Sequence, residues 1–108
     1  GNFIGQFSQR LNASMEPEVV ESMAALYATN FALDIGLRDI ILEGDSSCTI
    51  SSILSTTANY SSAGMINVDV RALLGNFSFY ECNFVKRSAN TVAHKLARHA
   101  KHVNELFV

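Results

Sequence analysis

Three stretches of this chain carry side chains able to do chemistry, and they come in a fixed order. Glu21 stands in Val20-Glu21-Ser22-Met23-Ala24-Ala25 and Asp45 in Ile41-Leu42-Glu43-Gly44-Asp45-Ser46. A basic run follows, Lys86-Arg87-Ser88-Ala89-Asn90-Thr91-Val92-Ala93-His94-Lys95-Leu96-Ala97. Together they place one carboxylate on a helix, a second at a strand end, and a cationic loop leading into a C-terminal helix. Two hard oxygen ligands beside a cationic surface suit a divalent metal ion working on a phosphate backbone. Each residue also has a plainer role. A Glu in the first turns of a helix compensates the dipole. Asp45 can help cap a helix beginning near Ser46, and His94 can be an exposed helix residue with no ligand role.

Other chemistries find little support. The chain has no G-x-S-x-G, CxxC, P-loop or G-x-G-x-x-G pattern. Ser88 and His94 are neighbours, but no acid is placed to orient them as a nucleophile pair. His94, His99 and His102 lack the Cys or nearby acid that would complete a zinc set. Cys48 and Cys82 fall inside expected elements and read as buried free thiols of an intracellular protein, nuclear or cytoplasmic. The sequons at Asn12, Asn59 and Asn76 read as coincidence in a chain rich in Asn, Ser and Thr.

Composition bounds the class. At 108 residues, 48% hydrophobic and 17% charged, with a single proline, the chain suits one folded domain spanning 1–108. No apolar run approaches the roughly 20 residues of a membrane span. No basic region followed by a hydrophobic stretch marks a signal peptide, and the absent initiator Met fits a fragment or excised domain. The net charge of −2 hides an asymmetry. Glu16, Glu18, Glu21, Asp34, Asp39, Glu43 and Asp45 dominate the first part, whereas Lys86, Arg87, Lys95, Arg98 and Lys101 have no acid among them. Such polarity marks either a nucleic-acid face or a solvated helix surface.

The elements that must position these residues follow from pattern. Residues 1–11 read as a short strand. Pro17 suits the first turn of a helix that Gly36 can close, with Val20, Met23, Tyr27 and Phe31 as its buried stripe. Residues 38–44 read as a buried strand, since Ile40-Ile41-Leu42 is unbroken apolar sequence. Ser46 can cap a helix to about Thr56 with Cys48, Ile53 and Leu54 inward. A further helix carries Met65, Ile66, Asp69, Leu73 and Leu74 and stops near Gly75. Residues 77–86 suit a strand. Asn90 caps a last helix with Ala93, Leu96, Ala97, Ala100 and Val103 on its inner face. Strand, helix, strand, two helices, strand, helix argues an α/β sheet with consecutive strands parallel.

The three motifs resemble the ribonuclease H-like superfamily, most closely the plant reverse-transcriptase-like (RNase H type-1) domain. The likeness covers about residues 18–100. It rests on Glu21 in its helix motif, Asp45 in Glu43-Gly44-Asp45-Ser46, and Arg87-x-x-Asn90-x-x-Ala93 with Leu96-Ala97. The resemblance implies a ribonuclease H-like mixed sheet flanked by helices, N-terminally truncated, because Gly1-Asn2-Phe3-Ile4 matches the family's third strand. The first strand, which carries an Asp bridging two metal ions, has no counterpart. That loss would interrupt backbone pairing and implies poor stability, a strand-swapped homo-oligomer, or a missing N-terminal segment of a longer chain.

By the same resemblance Glu21 and Asp45 are catalytic metal ligands for Mg²⁺ (or Mn²⁺). His94 stands where active members have Asp, a substitution less suited to Mg²⁺. Ser46, Lys86, Arg87, Asn90, Lys95 and Arg98 are candidate nucleic-acid contacts, and an RNA–DNA hybrid is the implied partner. In the family two metal ions clamp the scissile phosphate of the RNA strand, and contacts to 2′-hydroxyls distinguish RNA from DNA. The expectation is an RNase H type-1-like domain whose hybrid-ribonuclease chemistry is degenerate or inactive in this chain. The alternatives are a non-catalytic nucleic-acid-binding domain and a protein-interaction remnant of a retroelement.

Overall fold

The computed structural model describes residues 2–6, 16–57, 60–86 and 103–108. The elements are β1 (Asn2–Gln6), α1 (Pro17–Asp34), β2 (Asp39–Gly44), α2 (Ser47–Leu54), α3 (Ser62–Leu74), β3 (Phe79–Phe84) and β4 (Asn104–Phe107).

Both ends of α1 are set by backbone chemistry. Pro17 at the first helical position gives up no needed donor. At the far end Gly36 takes φ +82°, open to glycine without strain. The amide of Gly36 then donates to Leu33 O and that of Leu37 to Ala32 O, both at 3.0 Å, which closes the last carbonyls as a Schellman motif.

The face α1 buries differs from the expected stripe. Ser22, Ala24, Ala25, Ala28, Thr29 and Ala32 are buried, whereas Tyr27 and Phe31 are exposed and Val20 and Met23 half-buried. Apolar residues surround this helix, so its large side chains do not mark its inner face. Small residues do, because they let α1 approach both α3 and the sheet. Thr29 satisfies its buried hydroxyl by donating to Ala25 O at 2.7 Å.

Similar corrections hold for the shorter helices. On α2 the buried residues are Thr49, Ile50 and Ile53, and both Cys48 and Leu54 are exposed. On α3 they are Gly64, Asn67, Val70 and Leu74, with Met65 and Asp69 exposed and Ile66 and Leu73 half-buried. Arg71 of α3 joins the two helices. Its Nε donates to Ile53 O at 2.9 Å and its Nη2 to Ser52 O at 3.1 Å, covering carbonyls at the end of α2. Both cysteines are free, but only Cys82 is buried.

The sheet has the order β1-β4-β2-β3, and all three described pairings are parallel. The described strands thus supply the parallel part of the expected mixed sheet. Ile40, Leu42, Cys82 and Leu106 face α1, α2 and α3 and form one core with Ala25, Ala28, Ile53, Val70 and Leu74. Ile41, Glu43, Glu81 and Glu105 alternate to the opposite face.

β4 is the main departure from expectation. The sequence reading carries the last helix through Val103 and foresees no strand after it. In the structure Asn104–Phe107 forms a strand inserted between β1 and β2. It pairs Asn2↔Asn104 on one side and Ile41↔Glu105 on the other, and the amide of Val108 donates to Glu43 O at 2.8 Å. The interruption expected in that part of the sheet is therefore absent. The helix expected to start at Asn90 lies outside the described residues.

Candidate acidic site at the carboxyl edge of the sheet

β1 and β2 both run parallel to β4, so α1, which connects them, runs back in the opposite sense. Its first turns therefore lie at the end of the sheet where β2 stops. From Asp34 back to Glu21 the helix climbs about 20 Å, and from Asp39 to Asp45 the strand climbs about 20 Å. Glu21 and Asp45 thus reach the same level. Glu21 also continues the stripe Ala25, Ala28 and Ala32, each fully buried in the core shared with Ile40 and Leu42. Both acidic residues are half-buried.

Asp45 is held by its neighbours without being the helix cap. Ser46 is the N-cap of α2, and its Oγ accepts from the Thr49 amide at 3.2 Å and donates to Thr49 Oγ1 at 3.0 Å. The capping role therefore belongs to Ser46, whose hydroxyl donor is already used there. On the far side of β2 the amide of Val85 donates to Gly44 O at 2.8 Å. That bond brings exposed Lys86 to the same edge. Open α/β sheets collect their ligand groups at this carboxyl end.

Of the residues singled out in the sequence, Asp45, Ser46 and Lys86 follow the ends of β2 and β3 at one edge, and the length of α1 sets Glu21 at about the same level. His94, Arg87, Asn90, Lys95 and Arg98 lie outside the described residues. Among the described residues no three His, Cys, Asp or Glu side chains are grouped to hold a metal ion. The neighbouring β4 brings no carboxylate side chain to the edge. Continuing its register sets Val108 beside Gly44, where an added Cβ would meet Val108 Cγ2 at 3.1 Å.

The sequence reading missed one carboxyl group. Glu105 on β4 is 1% exposed, and neither oxygen has a hydrogen-bond partner among the described residues. It stands opposite Ile41, four strand residues or about 13 Å below Asp45, too far to join the pair.

The model of the family described as reverse transcriptase-like matches residues 1–100. No curated protein matches the chain. Among solved structures it is similar to RNase H1 from the halophilic archaeon Halobacterium salinarum NRC-1. The identity there is 25% and the TM-score 0.62, over 68% of this chain and 57% of that one. It is also similar to the N-terminal RNase H domain of Rv2228c from Mycobacterium tuberculosis, solved as a fusion with maltose binding protein. That likeness, at 21% identity and TM-score 0.61 over 78% of this chain and 61% of that one, is one of fold. The chain spans less than two thirds of the length of either structure.

Proposed function

This chain belongs to the reverse transcriptase-like family and is an RNase H-like domain, and from that premise we propose that it binds RNA–DNA hybrids at the carboxyl edge of its sheet and cleaves them weakly or not at all. What supports this reading is that Asp45 and Lys86 follow paired strands joined by the Val85–Gly44 bond, with Glu21 at about the same level by the length of its helix.

The donor set fits one hard divalent ion. Mg²⁺ is commonly held by one or two carboxylates, with water and substrate phosphate completing its shell. Glu21 and Asp45 would be those ligands, and a bound ion would polarise a phosphoryl oxygen and activate water. The chain's own residues do the rest. In this reading α1 and the Ser46 cap would hold the two carboxylates at one height. Lys86 attracts the phosphate backbone, as Arg87, Lys95 and Arg98 would farther along the sequence.

Weak turnover follows from what stands beside the pair. β4 puts Val108 there, and His94 occupies the sequence position of the family's last Asp. A site for two ions needs more carboxylates than the described residues assemble. A binding domain without cleavage is therefore favoured over a protein-interaction remnant, because the cationic segment is retained. Plant origin, descent from a retroelement and a nuclear or cytoplasmic site of action belong to this proposal through the resemblance alone.

The test is a labelled RNA–DNA hybrid, followed for binding across a salt series and for cleavage in Mg²⁺ and in Mn²⁺. Salt-sensitive binding with cleavage absent, or weak and abolished by Asp45→Asn, is the expected result. No binding at low salt would overturn the reading.

A further inference from the structure

α1, α2 and α3 bring their first turns around a pocket of about 110 Å³ lined by Glu18, Cys48, Thr49, Ser52, Gly64 and Asn67, among others. Cys48 is the exposed thiol of the chain. Cys48 and Ser52 are four apart on α2, and Gly64 and Asn67 three apart on α3, so each pair shares a helix face. Asn67 in its lining is only 2% exposed, and its Oδ1 has no hydrogen-bond partner among the described residues. Leaving a buried amide oxygen unpaired is costly, and a half-turn of its χ2 presents either the oxygen or the nitrogen to the pocket.

We propose that Cys48 is a site of reversible mixed-disulfide formation with a small peptide-bearing disulfide, and that the pocket beside it holds the peptide group. The reaction is thiol–disulfide exchange. The Cys48 thiolate attacks one sulfur of R–S–S–R, forms Cys48–S–S–R and releases R–S⁻, so no outside oxidant is consumed. The ligand class follows from Asn67. A peptide group offers an N–H and a C=O side by side, the complement of a carboxamide, and the hydroxyls of Thr49 and Ser52 stand nearby as further partners. The room is too small for a drug-sized ligand and suits a tether of a few atoms. Cys82 cannot compete, because it lies buried within the core.

Cys48 lies three residues beyond Asp45, so the attached group would crowd the acidic edge. That consequence rests on the nucleic-acid reading above, whereas the exchange itself does not.

The experiment equilibrates the 108-residue chain with glutathione disulfide at fixed thiol-to-disulfide ratio, and in parallel with hydroxyethyl disulfide, which has no amide. Intact-mass and peptide mapping count the adducts. The expected result is one adduct per chain, on Cys48, with an exchange constant about tenfold more favourable for glutathione, the worth of one well-made hydrogen bond. Asn67→Ala should erase that preference and Cys48→Ser the adduct. Equal constants for the two disulfides, or modification of Cys82 in the folded chain, would overturn the proposal without any variant being needed. Hybrid affinity, measured before and after reduction of the adduct, separates the two readings. An adduct that forms with the stated preference and leaves affinity unchanged would count against the position of the nucleic-acid edge and not against the pocket.

Discussion

Glu105 faces Ile41 across the ladder between β4 and β2, both sealed from solvent, and neither oxygen of the Glu105 carboxyl group is hydrogen-bonded among the described residues. An interior strand thus carries a polar group whose hydration is lost and not replaced. Glu105→Leu should therefore stabilise the chain, by about 2 kcal/mol. Urea unfolding would read this as a higher midpoint at unchanged slope. A lower midpoint would mean that Glu105 has a partner that its place opposite Ile41 does not reveal.

Gly44 reports on the same strand from its other face. A Cβ there would stand 3.1 Å from Val108 Cγ2 and 3.4 Å from Ile50 Cδ1. Gly44→Ala should cost about 1–2 kcal/mol by overpacking, and Val108→Ala in the same chain should recover part of that loss. A double-mutant cycle with no coupling would argue against β4 lying beside β2.

How much of this was legible in the sequence depended on how local the cause was. Pro17 and Gly36 bound α1 through backbone geometry alone, and Ser46 caps α2 with its own side chain, so those ends could be read directly. The levels of Glu21 and Asp45 follow from the same lengths of helix and strand. The inner face of α1 was not legible, because Tyr27 and Phe31 share the helix with alanines that pack on two neighbours at once. β4 was missed for a different reason. Val103-Asn104-Glu105-Leu106-Phe107-Val108 is apolar enough to extend a helix, and what makes it a strand is its pairing with β1 on one side and β2 on the other.

The Ser46 cap is a local support for the acidic edge. Ser46→Ala removes the acceptor for the Thr49 amide and should cost about 1 kcal/mol of stability. Thr49 also loses its hydroxyl partner, so the turn carrying Asp45 should loosen. Faster amide exchange at Thr49 and the residues before it would confirm this, and unchanged exchange would contradict it.

Burial pushes the Cys82 thiol up from 9.0 to about 12. In the unfolded chain the thiol loses its proton near pH 9, while the folded chain keeps it, so folding is opposed increasingly above that pH. The stabilising contribution of Cys82 is complete below about pH 9 and lost as pH rises towards 12. Cys82→Ala should lower stability at neutral pH through the lost volume yet flatten its decline between pH 9 and 11. A decline as steep as in the parent chain would assign the alkaline loss to other groups.

The most direct measurement of the central claim is paramagnetic broadening of backbone amide resonances by Mn²⁺ at substoichiometric concentration. If Glu21 and Asp45 form one site, resonances around Glu21 on α1 and around Asp45 after β2 should broaden together, and Asp45→Asn should abolish both effects. Broadening confined to one of these segments, or surviving Asp45→Asn, would contradict a shared acidic site at the carboxyl edge of the sheet.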